Sequence, residues 1–267
     1  MTAANLAWDA WRVARPLRQL LIRIARRAPP LQLAKYLREA MKLAPAERDL
    51  PTLLRHFPGW SRSLRPGRSA LGDARPWLTY AAIEFLEGQL RPGLRIFEYG
   101  AGGSTLFFAS RAPGGTSVEH DGPWASAVSA ALAARGLRWT VLHRAPAPAG
   151  DSGESRSADP RELQSFRSRD PDHLGDSFSD YARSIDSIDG LFDLILVDGR
   201  ARPSCFGRAL EKVAPGGWLV LDNAERSGYR RVHEKMAQLG WERRDFAGPA
   251  PYEFPFSLTC AWRRPVR

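Results

Sequence analysis

The stretch Leu94-Arg95-Ile96-Phe97-Glu98-Tyr99-Gly100-Ala101-Gly102-Gly103-Ser104-Thr105 reads as a short apolar strand that meets glycines and then enters a helix reaching about Ser110. Glycines between a strand and a helix let backbone approach a ligand closely, as nucleotide-binding α/β folds require. Thr105 stands where a dinucleotide fingerprint carries its third glycine, the one that serves close helix–strand packing. The loop therefore departs from the pattern for nicotinamide and flavin dinucleotides.

Outward from this loop the chain alternates strands and helices. A helix is expected over 77–90, ended by Pro92-Gly93, and a second strand over 116–119 with a helix over 124–135 behind it. Further strands are expected over 138–143, 192–197 and 217–221, with a helix around Ala209. Such alternation implies a doubly wound, Rossmann-like parallel sheet covered on both faces. The last two strands, over 241–246 and 256–263, are joined by too few residues for a crossover helix, so they form an antiparallel hairpin. Residues 145–176, rich in Pro, Gly, Ser, Asp and Arg, read as a surface insertion between the third and fourth strands.

Ligands of open α/β sheets sit outside the carboxyl ends of the strands, so polar residues there are site candidates. Glu119 ends the second strand and can accept from ribose hydroxyls. Asp198 ends the fourth, and Asp222-Asn223 the fifth. Two carboxylates and an amide oxygen form a hard set suited to Mg²⁺ or a similar divalent cation, although each could simply cap the following helix.

Of the chain's 39 basic and 29 acidic side chains, 14 and 4 fall in residues 1–68, leaving 25 of each in 69–267. The formal charge of +10 thus belongs to an extension, and the body is neutral, which argues against a nucleic-acid groove. We expect a basic helical extension, 1–68, before a single domain, 69–267. Val13, Leu17, Leu20, Leu21 and Ile24 share one face of a helix, and Leu33, Leu37 and Met41 share one face of a second, about 31–43. Either stripe packs on the body, the reading we favour, or it lies on an anionic membrane surface. Two cysteines, Cys205 and Cys260, form neither a disulfide framework nor a metal cluster. No run of apolar residues suits a membrane span or a secretory signal, so the expected location is cytoplasmic, with peripheral membrane contact an added option.

The order Glu98-x-Gly100-x-Gly102, Glu119, Phe192-Asp-Leu-Ile-Leu-Val-Asp198 and Pro215-Gly-Gly-Trp-Leu-Val-Leu-Asp222-Asn223 resembles class I S-adenosylmethionine-dependent methyltransferases. The resemblance covers residue 77 to the C-terminus and implies the sheet order 3-2-1-4-5-7-6 with the last strand antiparallel. It implies S-adenosylmethionine as cofactor, bound by Glu98, Gly100, Gly102, Ser104, Glu119 and Asp198. Asp198, Asp222 and Asn223 are similar to the Mg²⁺ set of the catechol and caffeoyl-coenzyme A O-methyltransferases, which makes them the expected metal ligands and catalytic residues. In those enzymes a lysine three residues after the first aspartate is the base, and here Ala201 stands in its place. Arg200 and Arg202 stay protonated and cannot serve as bases. The implied activity is methyl transfer to a small or glycan-like hydroxyl acceptor, with or without a divalent ion. Two other readings share these residues: a nucleotide- or dinucleotide-binding enzyme, and a tethered module that keeps the fold without the chemistry.

Overall fold

A computed structural model describes residues 28–43, 49–149 and 157–266. The helices are α1 (Pro29–Lys42), α2 (Leu50–Ser63), α3 (Ala70–Asp73), α4 (Tyr80–Gln89), α5 (Gly103–Ala109), α6 (Gly122–Ala133), α7 (Ser179–Arg183), α8 (Arg202–Ala209) and α9 (Arg230–Leu239). The strands are β1 (Ile96–Tyr99), β2 (Thr116–Glu119), β3 (Thr140–His143), β4 (Ala147–Pro148), β5 (Asp176–Ser177), β6 (Phe192–Val197), β7 (Val213–Leu221), β8 (Glu242–Gly248) and β9 (Ser257–Arg263).

Seven strands form one sheet in the order β3-β2-β1-β6-β7-β9-β8. All pair in parallel except β9, which is antiparallel to both neighbours. Counting the sheet strands alone, this is the expected order 3-2-1-4-5-7-6. The central strands are apolar at almost every position because both faces are covered, with Glu98 in β1 and Asp193 in β6 the acidic exceptions. Phe97, Tyr99, Ile195, Val197, Leu219 and Leu221 point into one core with Tyr181, Phe206 and Trp262. Ile96, Leu194, Leu196 and Val220 point into the other, against Leu86 and Phe108. Both cysteines are buried and free.

Helix α9 is the crossover that makes β8 parallel, and the sequence shows little of it, since only Val232 and Met236 are apolar and buried. The insertion over 145–176 is less superficial than expected. Phe166, in the left-handed region at φ 53°, is buried against the core that holds Phe178 and Tyr181. Its aromatic area outweighs the polar composition around it.

The described part of the extension packs on the body, but not through the stripe expected in its second helix. In α1 the buried residues are Gln32, Tyr36 and Ala40, while Leu33, Leu37 and Met41 face outward. Tyr36 decides the rotation. Its ring meets Phe57, Trp60 and Phe256 edge-on, and its hydroxyl donates to the Leu53 carbonyl. One aromatic with three edge-on aromatic neighbours offers a large and specific contact area. Together with Trp60 and Leu64, it docks the helix pair on the tip of the β8–β9 hairpin. The stripe Val13, Leu17, Leu20, Leu21 and Ile24 lies outside the described residues. No helix among the described residues is long and apolar enough to cross a membrane.

Candidate active site

The carboxyl ends of β1, β2, β6 and β7 bring the expected site residues to one edge of the sheet. Gly100, at φ 93°, takes a backbone conformation that disfavours a side chain, and a Cβ there would lie 2.9 Å from the Gly199 backbone. Gly102 differs: a Cβ at that position meets nothing within 4 Å. Gly100 therefore closes the loop against β6, and Gly102 presents bare backbone to the crevice. Beneath the loop, Glu98 is fully buried. Its Oε2 accepts from Thr105 Oγ1 at 2.6 Å and Ser117 Oγ at 2.5 Å, and Thr105 Oγ1 accepts from the Gly102 N–H at 2.9 Å. Burial pushes its pKa up to about 7, against the hydroxyls of Ser104, Ser117 and Thr105. Glu98 and Ser104 thus shape the loop from behind.

Glu119 holds the loop from the side. Its Oε1 accepts from the backbone of His120 and Asp121 and from His120 Nδ1, and its Oε2 accepts from Ala101 N–H at 3.0 Å. Burial works against the charge, but these donors outweigh it and hold the carboxyl below its ordinary range. Oε2 keeps one lone pair for a further donor. The Tyr181 hydroxyl, buried where Gly199 approaches Gly100, has no hydrogen-bond partner among the described residues. Trp124, partly exposed, donates its indole N–H to the Ala101 carbonyl at 2.7 Å. Bare backbone at Gly102, an ionised acceptor at Glu119 and an orphaned buried hydroxyl suit a ligand bearing ribose hydroxyls, so the residues fit S-adenosylmethionine.

Asp198, Asp222 and Asn223 do converge, around a cation that the chain supplies itself. The five N–H donors of Arg202 meet five acceptors. Nε donates to the Gly199 carbonyl at 3.0 Å. Nη1 donates to the Asp222 carbonyl at 2.6 Å and to Asn223 Oδ1 at 3.2 Å. Nη2 donates to Asp198 Oδ1 at 2.7 Å and to the Asp198 carbonyl at 3.2 Å. Asp222 Oδ1 accepts from Thr259 Oγ1 at 2.8 Å, and its Oδ2 lies 3.9 Å from the guanidinium. Burial pushes both carboxyls upward, and the guanidinium opposes it. A saturated guanidinium among these oxygens leaves no room for a divalent ion, and no cluster of three or more metal-ligating side chains occurs among the described residues. The expected metal site is therefore corrected: these residues do not fit a metal.

No protein-family model and no curated protein matches the sequence. Among solved structures, the O-methyltransferase from Bacillus cereus in complex with SAH matches with a TM-score of 0.52 at 17% identity, over 78% of this chain and 96% of that chain. A methyltransferase-like protein from Silicibacter pomeroyi matches at 27% identity with a TM-score of 0.40, over 65% of this chain and 81% of that one. A putative rRNA-methylase from Clostridium thermocellum matches at 13% identity with a TM-score of 0.44, over 68% and 92%. The chain has the class I methyltransferase fold.

Beside the crevice of this methyltransferase fold lies a carboxyl that the sequence did not single out. Glu253, half-buried at the hairpin tip, faces Asp222, Glu225 and Arg226, with Trp77 hydrogen-bonded to it. Burial, with Asp222 and Glu225 adding to it, pushes its pKa up to about 7 against Arg226 and Trp77. The tip is fixed by the extension. Trp60 donates its indole N–H to the Glu253 carbonyl at 2.8 Å, the Tyr252 N–H donates to Ser63 Oγ at 2.9 Å, and the Tyr252 hydroxyl donates to Asp73 at 3.0 Å. Only the final fold joins residue 60 to residue 253, so no local pattern marks Glu253.

Proposed function

We propose that the protein is an S-adenosylmethionine-dependent methyltransferase acting on a hydroxyl of a small acceptor, without a divalent metal at Asp198, Asp222 and Asn223. The observation that carries this reading is the pairing of bare backbone at Gly102 with an ionised Glu119 that retains acceptor capacity. When bound, S-adenosylmethionine supplies an electrophilic methyl on a sulfonium. The chain's task is then positioning and proton removal. Gly100 and Glu98 hold the loop, Glu119 takes ribose hydroxyls, and Arg202 keeps the ends of β6 and β7 together. Glu253 accepts the acceptor's hydroxyl proton as the oxygen gains the methyl. Its pKa near 7 gives both a charged fraction and useful basicity at neutral pH.

Calorimetry with S-adenosylhomocysteine tests the donor half. Saturable binding is expected, weakened by about 1–3 kcal/mol in Glu119→Ala, the scale of hydrogen bonds to a charged group. An absence of binding overturns the reading. For the acceptor half, donor consumption should rise with pH through about 7, and Glu253→Gln should remove that rise while sparing S-adenosylhomocysteine affinity.

A further inference from the structure

Next to the crevice, on the side where α8 begins, is a cavity of about 250 Å³. Five arginines line it, Arg167, Arg169, Arg200, Arg202 and Arg226, with one acid, Asp170. Two of the five are already neutralised: Arg202 by Asp198, and Arg200 by Asp170, whose Oδ2 lies 2.8 Å from its Nη2. Arg167, Arg169 and Arg226 form no ion pair among the described residues, and the Nε of Arg167 is buried without a partner. A body with equal numbers of basic and acidic residues has thus gathered on one small cavity three guanidinium groups that form no ion pair among the described residues.

The cavity is also built to hold them. Nη1 of Arg169 lies 2.6 Å from where a Cβ on Gly228 would stand, so the bare backbone of Gly228 admits that guanidinium. Ser168 Oγ accepts from the Asp170 N–H at 3.1 Å and so keeps its own proton to donate inward. The volume is below that of an ordinary small-molecule pocket and suits one group of a ligand. Planar guanidinium groups recognise phosphoryl oxygens bidentately. Gly199 and Arg202 line this cavity and also stand at the strand ends that face the crevice, so the two adjoin. Arg226 also faces Glu253.

We propose that the cavity holds a phosphoryl group of the methyl acceptor, gripped by Arg167, Arg169 and Arg226, and that the acceptor is a phosphorylated small molecule. The link to methyl transfer rests on the function proposed above; the phosphoryl site does not. Pyrophosphate and inorganic phosphate are the probes, titrated calorimetrically at low salt. Pyrophosphate should bind the intact protein, lose affinity as salt rises, and lose about tenfold or more in Arg167→Ala/Arg169→Ala, with S-adenosylhomocysteine affinity retained. If that variant fails to fold, protection of Arg167 and Arg169 from phenylglyoxal by pyrophosphate, mapped on the wild-type chain, gives the same reading. No pyrophosphate binding at millimolar concentration, or no protection of these arginines, overturns the proposal. So does chloride competing with pyrophosphate as strongly as inorganic phosphate does at matched ionic strength, because the site would then recognise charge alone and no phosphoryl group. A sugar phosphate and a nucleoside diphosphate, titrated in the same assay, distinguish the carriers of the group. Pyrophosphate binding without S-adenosylhomocysteine binding would sustain the phosphoryl site and overturn the methyltransferase reading alone.

Discussion

Nη2 of Arg202 stands 2.7 Å from Oδ1 of Asp198, four residues earlier, and the same guanidinium reaches the Asp222 carbonyl and Asn223 across the gap to β7. The arginine ties two adjacent strand ends through contacts that a divalent ion would otherwise make. Asn223, at φ 51°, adopts a left-handed backbone there, a strained conformation that this tie helps maintain.

Removing that tie exposes two buried carboxylates to one another. Arg202→Met should destabilise the fold by about 3–5 kcal/mol, the cost of breaking a buried pair from one side. Turnover of the wild-type chain should be unchanged by excess chelator. Chelator-sensitive turnover restored by Mg²⁺ would show that the metal assignment was right after all.

The two loop glycines should fail differently. Gly100→Ala forces a side chain into a backbone at φ 93° and against Gly199 at 2.9 Å, so it should lower the melting temperature. Gly102→Val places its bulk in open space, so it should fold normally and lose S-adenosylhomocysteine binding. A folded Gly102→Val with wild-type affinity would remove this loop from the cofactor site.

These contrasts show what the sequence could and could not disclose. Strand apolarity and the glycine punctuation are local, and they led to the sheet; its order came from the resemblance to class I methyltransferases. The meeting of Asp198, Asp222 and Asn223 followed from the rule that ligands gather at strand ends. What fills the space between them did not, because Arg202 looks like any helix-start arginine until its five donors are traced. Tyr36 and Trp60 similarly hid their role. Their partners, Phe256 and the Glu253 carbonyl, lie some two hundred residues away, and helical periodicity cannot see them.

Glu98 makes stability depend on pH. Its folded pKa of about 7 lies above the ordinary glutamate value of 4.5, so the folded state holds a proton that the unfolded state has lost between those values. The contribution is fully present below about 4.5 and is lost as pH rises through 7, by about 3 kcal/mol in all. Glu98→Gln cannot ionise and should show a shallower fall of melting temperature between pH 5 and 8. Parallel profiles for the two proteins would place the titration elsewhere.

Helix α1 offers a test of the extension in which its two faces answer separately. Trp60, fully buried against α1 and the hairpin tip, is structural, and Trp60→Ala should cost about 3–5 kcal/mol. Leu33 and Leu37, 40% and 43% exposed, flank the buried Gln32–Tyr36–Ala40 face of α1 on its solvent side, and Lys35, Arg38 and Lys42 are interspersed along the same helix. An outward apolar stripe among basic residues matches the composition of a helix resting on anionic lipid, where each basic residue near the surface adds about 1 kcal/mol. Leu33→Ser/Leu37→Ser should therefore leave the melting temperature unchanged while reducing pelleting with vesicles of anionic phospholipid, and salt should reduce pelleting of the wild-type chain. Equal pelleting of variant and wild type would show that this face takes no part. A lowered melting temperature would show that Leu33 and Leu37 stabilise the fold as well.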